Sequence, residues 1–442
     1  RREATPFEVE ADKDGRHAEA KCPKHPGRNN QPEVAVAHRS QCTAAPLRDC
    51  LARINRFLTS AATSPIPGTN TTGLQDRSAW SLEVALDVEW AHTMAPMANI
   101  LLVTTPMAET QGVQGLPQMM KAEETVITNH LASVITQSFG TTEEAFGGSA
   151  AIESLRFAFK DAVANHVSVF ASSGDGGTQN SLKTPVKTPT PVPYATVIWP
   201  GSDPLVTGVG GTYECTKPDA PGSLTAFRGQ GARCNQFPTQ REVAWIGSGG
   251  GFSHVFGKPG FQNVLPAGST AIGSMRGVPD VALQASCITG VLIYTSNPGP
   301  GSASNVGNTG WYVIGGTSSS SPQWAGITAV ANKVNGSPLG YLNPLLYKVA
   351  SNPTRYAHDF FDVTTWHNSG TAAGPGFNAG TGWDPVTGLG TAECGEPYPR
   401  LDQGSQRNAV GKPSDRRGRA RARPFFIAYH DREERRCPVT QA

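Results

Sequence analysis

At 442 residues the chain is long enough for a large core, or for two to three domains of ordinary size. It is only 16% charged and carries 49 glycines and 35 prolines, which favours a compact, loop-rich globule over a coiled coil. The net charge of +2 hides two basic ends around an acidic middle. The cluster Arg416, Arg417, Arg419, Arg421 and Arg423 reads as a solvated tail rather than a nucleic-acid-binding arm. No apolar run approaches the ~20 residues needed to cross a membrane.

The chain begins at Arg1 without a signal-peptide core, as a processed form or a fragment would. Residues 1–50 are polar and Pro-interrupted, with Glu33 to Ala37 the only strand-like fragment, and a short helix is expected over 51–59. Organisation begins at Trp80. Leu82, Leu86 and Trp90 recur at helical spacing up to Met94, and Pro96 ends the run. Glu83 and Asp87 stand four apart and share a face of that helix, as a solvated acidic face or as a functional pair. Residues 98–103 predict a buried strand, 115–133 a helix, 133–140 a strand, 152–165 a helix and 167–171 a strand. Alternating strands and helices imply a mostly parallel sheet with helices on its faces. Chemistry in such sheets gathers at the carboxyl ends of strands, where Asp175 lies.

Residues 178–310 are Gly-rich and predict irregular structure. The apolar run Trp311 to Ile314 then leads into Gly315-Gly316-Thr317-Ser318-Ser319-Ser320-Ser321-Pro322. Pro322 is expected to open a helix, which puts Ser318 on a tight strand-to-helix turn beside unpaired N–H groups that could hold an oxyanion. A Ser-rich turn capping a buried helix explains the same residues. Eight cysteines show no C-x-x-C spacing, which argues against a zinc site. Cys215 and Cys234 flank a loop that a disulfide could close, as suits an exported protein.

A serine nucleophile needs a base, and histidine is the usual one. None of the ten histidines stands in a Gly-rich His-Gly-Thr context. The carboxylates are left. Four motifs carry a resemblance: Trp80 to Glu89, Ser172-Ser173-Gly174-Asp175, Gly316-Thr317-Ser318 with Pro322, and Ala379-Gly380-Thr381-Gly382-Trp383-Asp384. In that order they resemble the sedolisins, the serine-carboxyl peptidases, in the style of exported bacterial members. The likeness runs from Trp80 to Thr391.

The resemblance implies a subtilisin-like fold with a C-terminal calcium-binding loop region, and a secreted, monomeric, acid-acting endopeptidase on polypeptide substrates, with neither nucleic acid nor membrane as partner. It implies Ser318 as nucleophile, Glu83 as general base, Asp87 as its partner and Asp175 at the oxyanion. Ser138, Phe139 and Gly140 would line the substrate strand. One Ca²⁺ would take Asp362 and Asp384 with the carbonyls of Val363, Gly380 and Gly382. Within the family a tripeptidyl-type aminopeptidase is the alternative; an inactive peptide-binding relative and a His-dependent serine hydrolase are the others. The chain departs from the family's pattern in three places. No apolar strand followed by glycines is found in residues 1–79. Trp366 stands where a glycine is usual. A Pro- and Arg-rich segment follows Thr391. The implied division is an N-terminal segment 1–56, a peptidase domain 57–394 and a disordered basic tail 395–442.

Overall fold

The computed structural model describes residues 35–36, 71–105, 113–184, 187–215, 240–295, 310–370, 376–393 and 424–428, with backbone alone at 35–36, 71–79, 181–191 and 424–428. The helix expected at 51–59 lies outside them. In chain order the elements that build the core are β1 (Ala35–Val36), α1 (Thr71–Met94), β2 (Asn99–Thr104), α2 (Leu116–Thr128), β3 (Val134–Gln137), α3 (Ser149–Glu153), α4 (Phe157–Ala164), β4 (Ser168–Ser172), β5 (Thr207–Glu214), β6 (Glu242–Ala244), β7 (Val281–Gln284), β8 (Val291–Thr295), β9 (Gly310–Ile314), α5 (Thr317–Asn335), α6 (Asn343–Ala350) and β10 (Pro424–Ala428).

One sheet of eight strands organises them, in the order β1-β2-β10-β3-β4-β5-β6, with β7 also paired to β5. The interior pairings are parallel, and only the short β1 and β6 run antiparallel to their neighbours. Alternation along the strands sends side chains to two cores. Leu101, Val103, Ile135, Val169 and Ala171 pack with Met120 and Val126 of α2 and Phe159 of α4. Leu102, Val134, Phe170, Val209 and Val281 pack on the other face with Val84 and Val88 of α1, Trp324 and Ala325 of α5, and Leu346 and Tyr347 of α6. The result is a three-layer α/β/α arrangement, as the alternating pattern implies. Each fully buried large side chain, such as Phe170, contributes about 1.5–3 kcal/mol through burial.

Several expectations are corrected. The described residues of 178–310 are not all irregular: they include β5, β6, β7 and β8, and β5 sits inside the sheet. Its glycines read as loop, yet they are packing residues. A Cβ on Gly210 would stand 2.7 Å from the Pro279 ring, and one on Gly211 would stand 2.5 Å from Ala285 Cβ. α1 starts at Thr71 rather than Trp80, and the helix expected over 152–165 is two shorter ones. In the C-terminal segment, where the sequence suggests only a tail, residues 424–428 form a strand between β2 and β3. The fragment within Glu33 to Ala37 forms β1 on the outer edge of β2.

A second feature stabilises the base of the sheet. Arg276 and Asp280, both fully buried, meet in a two-pronged ion pair of 2.8 and 2.6 Å. Asp280 also accepts from Gly208 N at 2.9 Å and from the Tyr347 hydroxyl at 3.0 Å. The pair thereby ties β5 and α6 to the loop before β7.

Candidate active site

α5 starts five residues earlier than Pro322 suggests: Gly316 caps it, Ser318 is its second residue, and Pro322 lies inside it. A proline in a helix cannot donate to the carbonyl four residues back, which here is that of Ser318. The Ser138 hydroxyl, just beyond β3, lies 3.4 Å from that carbonyl oxygen and donates at 2.8 Å to Asp87 Oδ1. Ser138 thus bridges α1, which carries Glu83 and Asp87, and α5, which carries Ser318. Its hydroxyl prefers the shorter, charge-assisted partner.

Asp87 is fully buried and Glu83 nearly so. Burial pushes the Asp87 carboxyl well above the usual range, the neighbouring Glu83 charge pushes it further, and the Ser138 hydrogen bond opposes both. Asp87 Oδ2 is buried without a hydrogen-bond partner. Two carboxyls a turn apart in such surroundings are poised to share a proton.

Asp175 approaches from the loop after β4. Its Oδ1 accepts from Thr317 N at 2.7 Å and from Thr317 Oγ1 at 2.9 Å, while Gly174 N donates to Thr317 Oγ1 at 3.0 Å. The carboxyl sits at the N-terminus of α5, where the helix dipole favours an acceptor. Gly316 is required there. Its φ is 116°, and a Cβ would stand 2.6 Å from Asp175 Oδ2. Thr317, to which no role was given from the sequence, is therefore what orients Asp175; its place between Gly316 and Ser318 was the available signal.

α1 is also bolted to the hairpin that leads into Ser318. Glu89 accepts from Tyr294 N at 2.9 Å and Trp90 Nε1 donates to Leu292 O at 3.1 Å, both on β8. Leu82 and Leu86 pack with Ile293 of β8 and with Tyr312 and Ile314 of β9. Burial raises the Glu89 carboxyl to about 8. Glu89 lies within the first motif, but sequence assigned it no task.

Ser138, Phe139 and Gly140 follow the last pairs of β3 with its neighbours, at the carboxyl end of the sheet. The Phe139 side chain is wholly buried in the core, so this residue can meet a peptide only through its backbone. Three of the six histidines among the described residues are held by neighbouring side chains. His254 pairs with Glu144, His358 with Asp359 and His367 with Ser369; His130 and His166 take φ near 53–54° behind helices; burial lowers the pKa of His92. Cys215 and Cys287 are disulfide-bonded, and Cys234 lies outside the described residues.

The five residues suggested for calcium gather in one loop cluster. Gly382 N donates to Asp362 Oδ2 at 2.9 Å, Gly380 N to Asp384 Oδ2 at 3.1 Å, and Thr387 Oγ1 reaches both Asp384 Oδ2 at 3.0 Å and the Val363 carbonyl at 3.4 Å. Asp362 Oδ1 is buried with no hydrogen-bond partner, and burial raises the Asp384 carboxyl to about 7. Among the described residues no group of three or more His, Cys, Asp or Glu side chains is placed to hold a metal; what this cluster offers is two carboxylates among carbonyls. Trp366 nearby takes φ 84°, the left-handed region that favours glycine.

Comparison with known proteins accords with this geometry. A family model described as the subtilase family matches residues 68–348. Kumamolisin from Bacillus sp. is 32% identical over 70% of this chain and 49% of its own length. Tripeptidyl-peptidase 1 from Rattus norvegicus is 31% identical over 72% of this chain and 51% of its own, and sedolisin from Pseudomonas sp. is 29% identical over 64% and 43%. The chain spans about half the length of the curated relatives it matches. Among solved structures, Pseudomonas sedolisin, described as a serine-carboxyl proteinase, superimposes with a TM-score of 0.54 at 24% identity, over 78% of this chain and 86% of that one. The chain belongs to the subtilase family, and within it to the sedolisins.

Proposed function

We propose that the protein is a secreted, acid-acting serine-carboxyl endopeptidase. The carrying observation is the buried link from Asp87 through Ser138 to the nucleophile helix, opposite an Asp175 oriented by Thr317. The Ser318 hydroxyl attacks a peptide carbonyl while its proton passes to Glu83, and Asp87 shares the charge that results. The tetrahedral oxyanion faces Asp175, which can donate to it only while it carries a proton. The amine leaves with the proton returned by Glu83, and water hydrolyses the acyl-enzyme by the same route reversed. A substrate strand lies along Ser138, Phe139 and Gly140 through main-chain hydrogen bonds. One Ca²⁺ fits the Asp362/Asp384 cluster in donor chemistry: the two carboxylates and the carbonyls of Val363, Gly380 and Gly382 would hold it. When bound it would neutralise the two carboxylates and fix the loop.

The test is hydrolysis of a denatured protein at about pH 4 and about pH 7.5, beside Ser318→Ala. Internal cleavage in acid that the variant abolishes is expected. Activity only near neutrality would point to a histidine base and overturn the proposal; release of tripeptides alone would replace the endopeptidase with the aminopeptidase.

A further inference from the structure

β2 and β3 follow one another in the chain through α2, yet they are not neighbours in the sheet: one strand position separates them. That position is filled from the far end of the chain. β10 pairs in parallel with β2 along Pro424↔Asn99 to Ile427↔Leu102, and with β3 along Phe426↔Ile135 to Ala428↔Gln137. Adjacent strands stand about 4.8 Å apart, so without β10 the facing edges of β2 and β3 would lie about 9.6 Å apart and could not pair. Both are interior strands by burial: Leu101, Leu102 and Val103 of β2 and all four residues of β3 are buried. Unpaired N–H and C=O groups along two such edges would be costly.

The sequence of the insert suits the place. Pro424-Phe425-Phe426-Ile427-Ala428 is an uncharged apolar run inside a segment dense in arginine, and its proline falls on the first residue, where an interior strand tolerates one. The last pair, Ala428↔Gln137, adjoins Ser138, whose hydroxyl serves Asp87 and lies beside the Ser318 carbonyl. The strand therefore buttresses a residue whose hydroxyl spans from Asp87 to the helix that carries Ser318.

We infer that the slot between β2 and β3 is a strand-acceptor site whose occupant is the chain's own segment 424–428, and that the peptidase site is held in place only when this segment is seated. The segment is made after the rest of the domain, so the slot closes last. Any peptide of the same chemistry, extended and apolar over four or five residues, is a competitor or a substitute for it.

Hydrogen exchange on the intact chain tests the seating directly, independent of any activity. Amides of Phe425 to Ala428 are expected to exchange as slowly as those of β3, to within about tenfold. Exchange at the rate of a solvated peptide overturns the inference. Two truncations test the consequence. Ending the chain after residue 430 is expected to leave cooperative unfolding unchanged, whereas ending it after residue 423 should lower the midpoint and free the β3 amides to exchange. A synthetic peptide spanning 422–430, added to the shorter chain, should restore slow exchange in β3. Equal unfolding midpoints for both truncations would refute the proposal even if the peptidase activity were absent throughout.

Discussion

Ser138→Ala isolates the coupling on which the proposed acid mechanism depends. Asp87 is desolvated on all sides, repelled by Glu83, and relieved by one hydrogen bond, that from Ser138 at 2.8 Å. Removing the hydroxyl takes away a hydrogen bond that lowers this carboxyl and leaves both raising forces in place. A hydrogen bond to a charged acceptor is worth about 1.5–3 kcal/mol. At about 1.36 kcal/mol per pH unit, that is about one to two units, spread over the two protonation steps of the Glu83/Asp87 pair. The pair must lose a proton before it can take one from Ser318, so the acid limb of kcat/KM should move to higher pH, by up to that amount. Ser138→Thr keeps a hydroxyl and should leave the limb near its original position. The assay is a pH profile of kcat/KM on one fluorogenic peptide for the three proteins. An acid limb that stays put in Ser138→Ala, or moves down, would show that Ser138 does not govern the pair.

Two further outcomes concern stability. Asp280→Asn removes a charge but not a shape, leaving the Arg276 guanidinium buried without its ion partner; denaturant unfolding should show a loss of about 3–5 kcal/mol, and a loss below about 1 kcal/mol would mean the pair contributes little. Chelation with EDTA should lower the unfolding midpoint of the intact protein, and added Ca²⁺ but not Mg²⁺ should restore it, because the larger ion accepts an irregular set of carboxylates and carbonyls. A midpoint indifferent to both would remove calcium from the Asp362/Asp384 loop.

What could be read from the residues alone was the candidate site more than its scaffolding. The Glu83/Asp87 spacing, the Gly174-Asp175 turn and the Gly316-Thr317-Ser318 junction are local patterns, and each ends where a strand or helix presents it. What escaped detection is set by distant contacts. β5 hides because glycine reads as loop wherever the partner that crowds it lies far along the chain; Pro279 and Ala285 do so here. The start of α5 hides because Pro322 looks like a first residue, while the capping partner of the true start, Asp175, is more than a hundred residues upstream. Trp366 shows the converse: its departure from glycine is visible in sequence, and the backbone confirms that the position still asks for one, with φ 84° and the Trp366 ring stacked on His367 at 4.7 Å.

β10 carries the same point furthest. Its five residues have no helical or alternating period, and the short apolar run is the one local sign that sets them apart from their arginine-rich flanks. The information lies in the sheet's vacancy. α2 carries the chain over one strand position between β2 and β3, and parallel pairing demands that something extended and apolar be placed there. A strand with one open edge can be tolerated with charges or a bulge, but an interior position has two edges to satisfy. The demand is therefore specific in length, direction and polarity before any residue is assigned to it. Of the C-terminal segment, Pro424 to Ala428 meets all three conditions, and it does so one residue short of the serine that joins the two halves of the site.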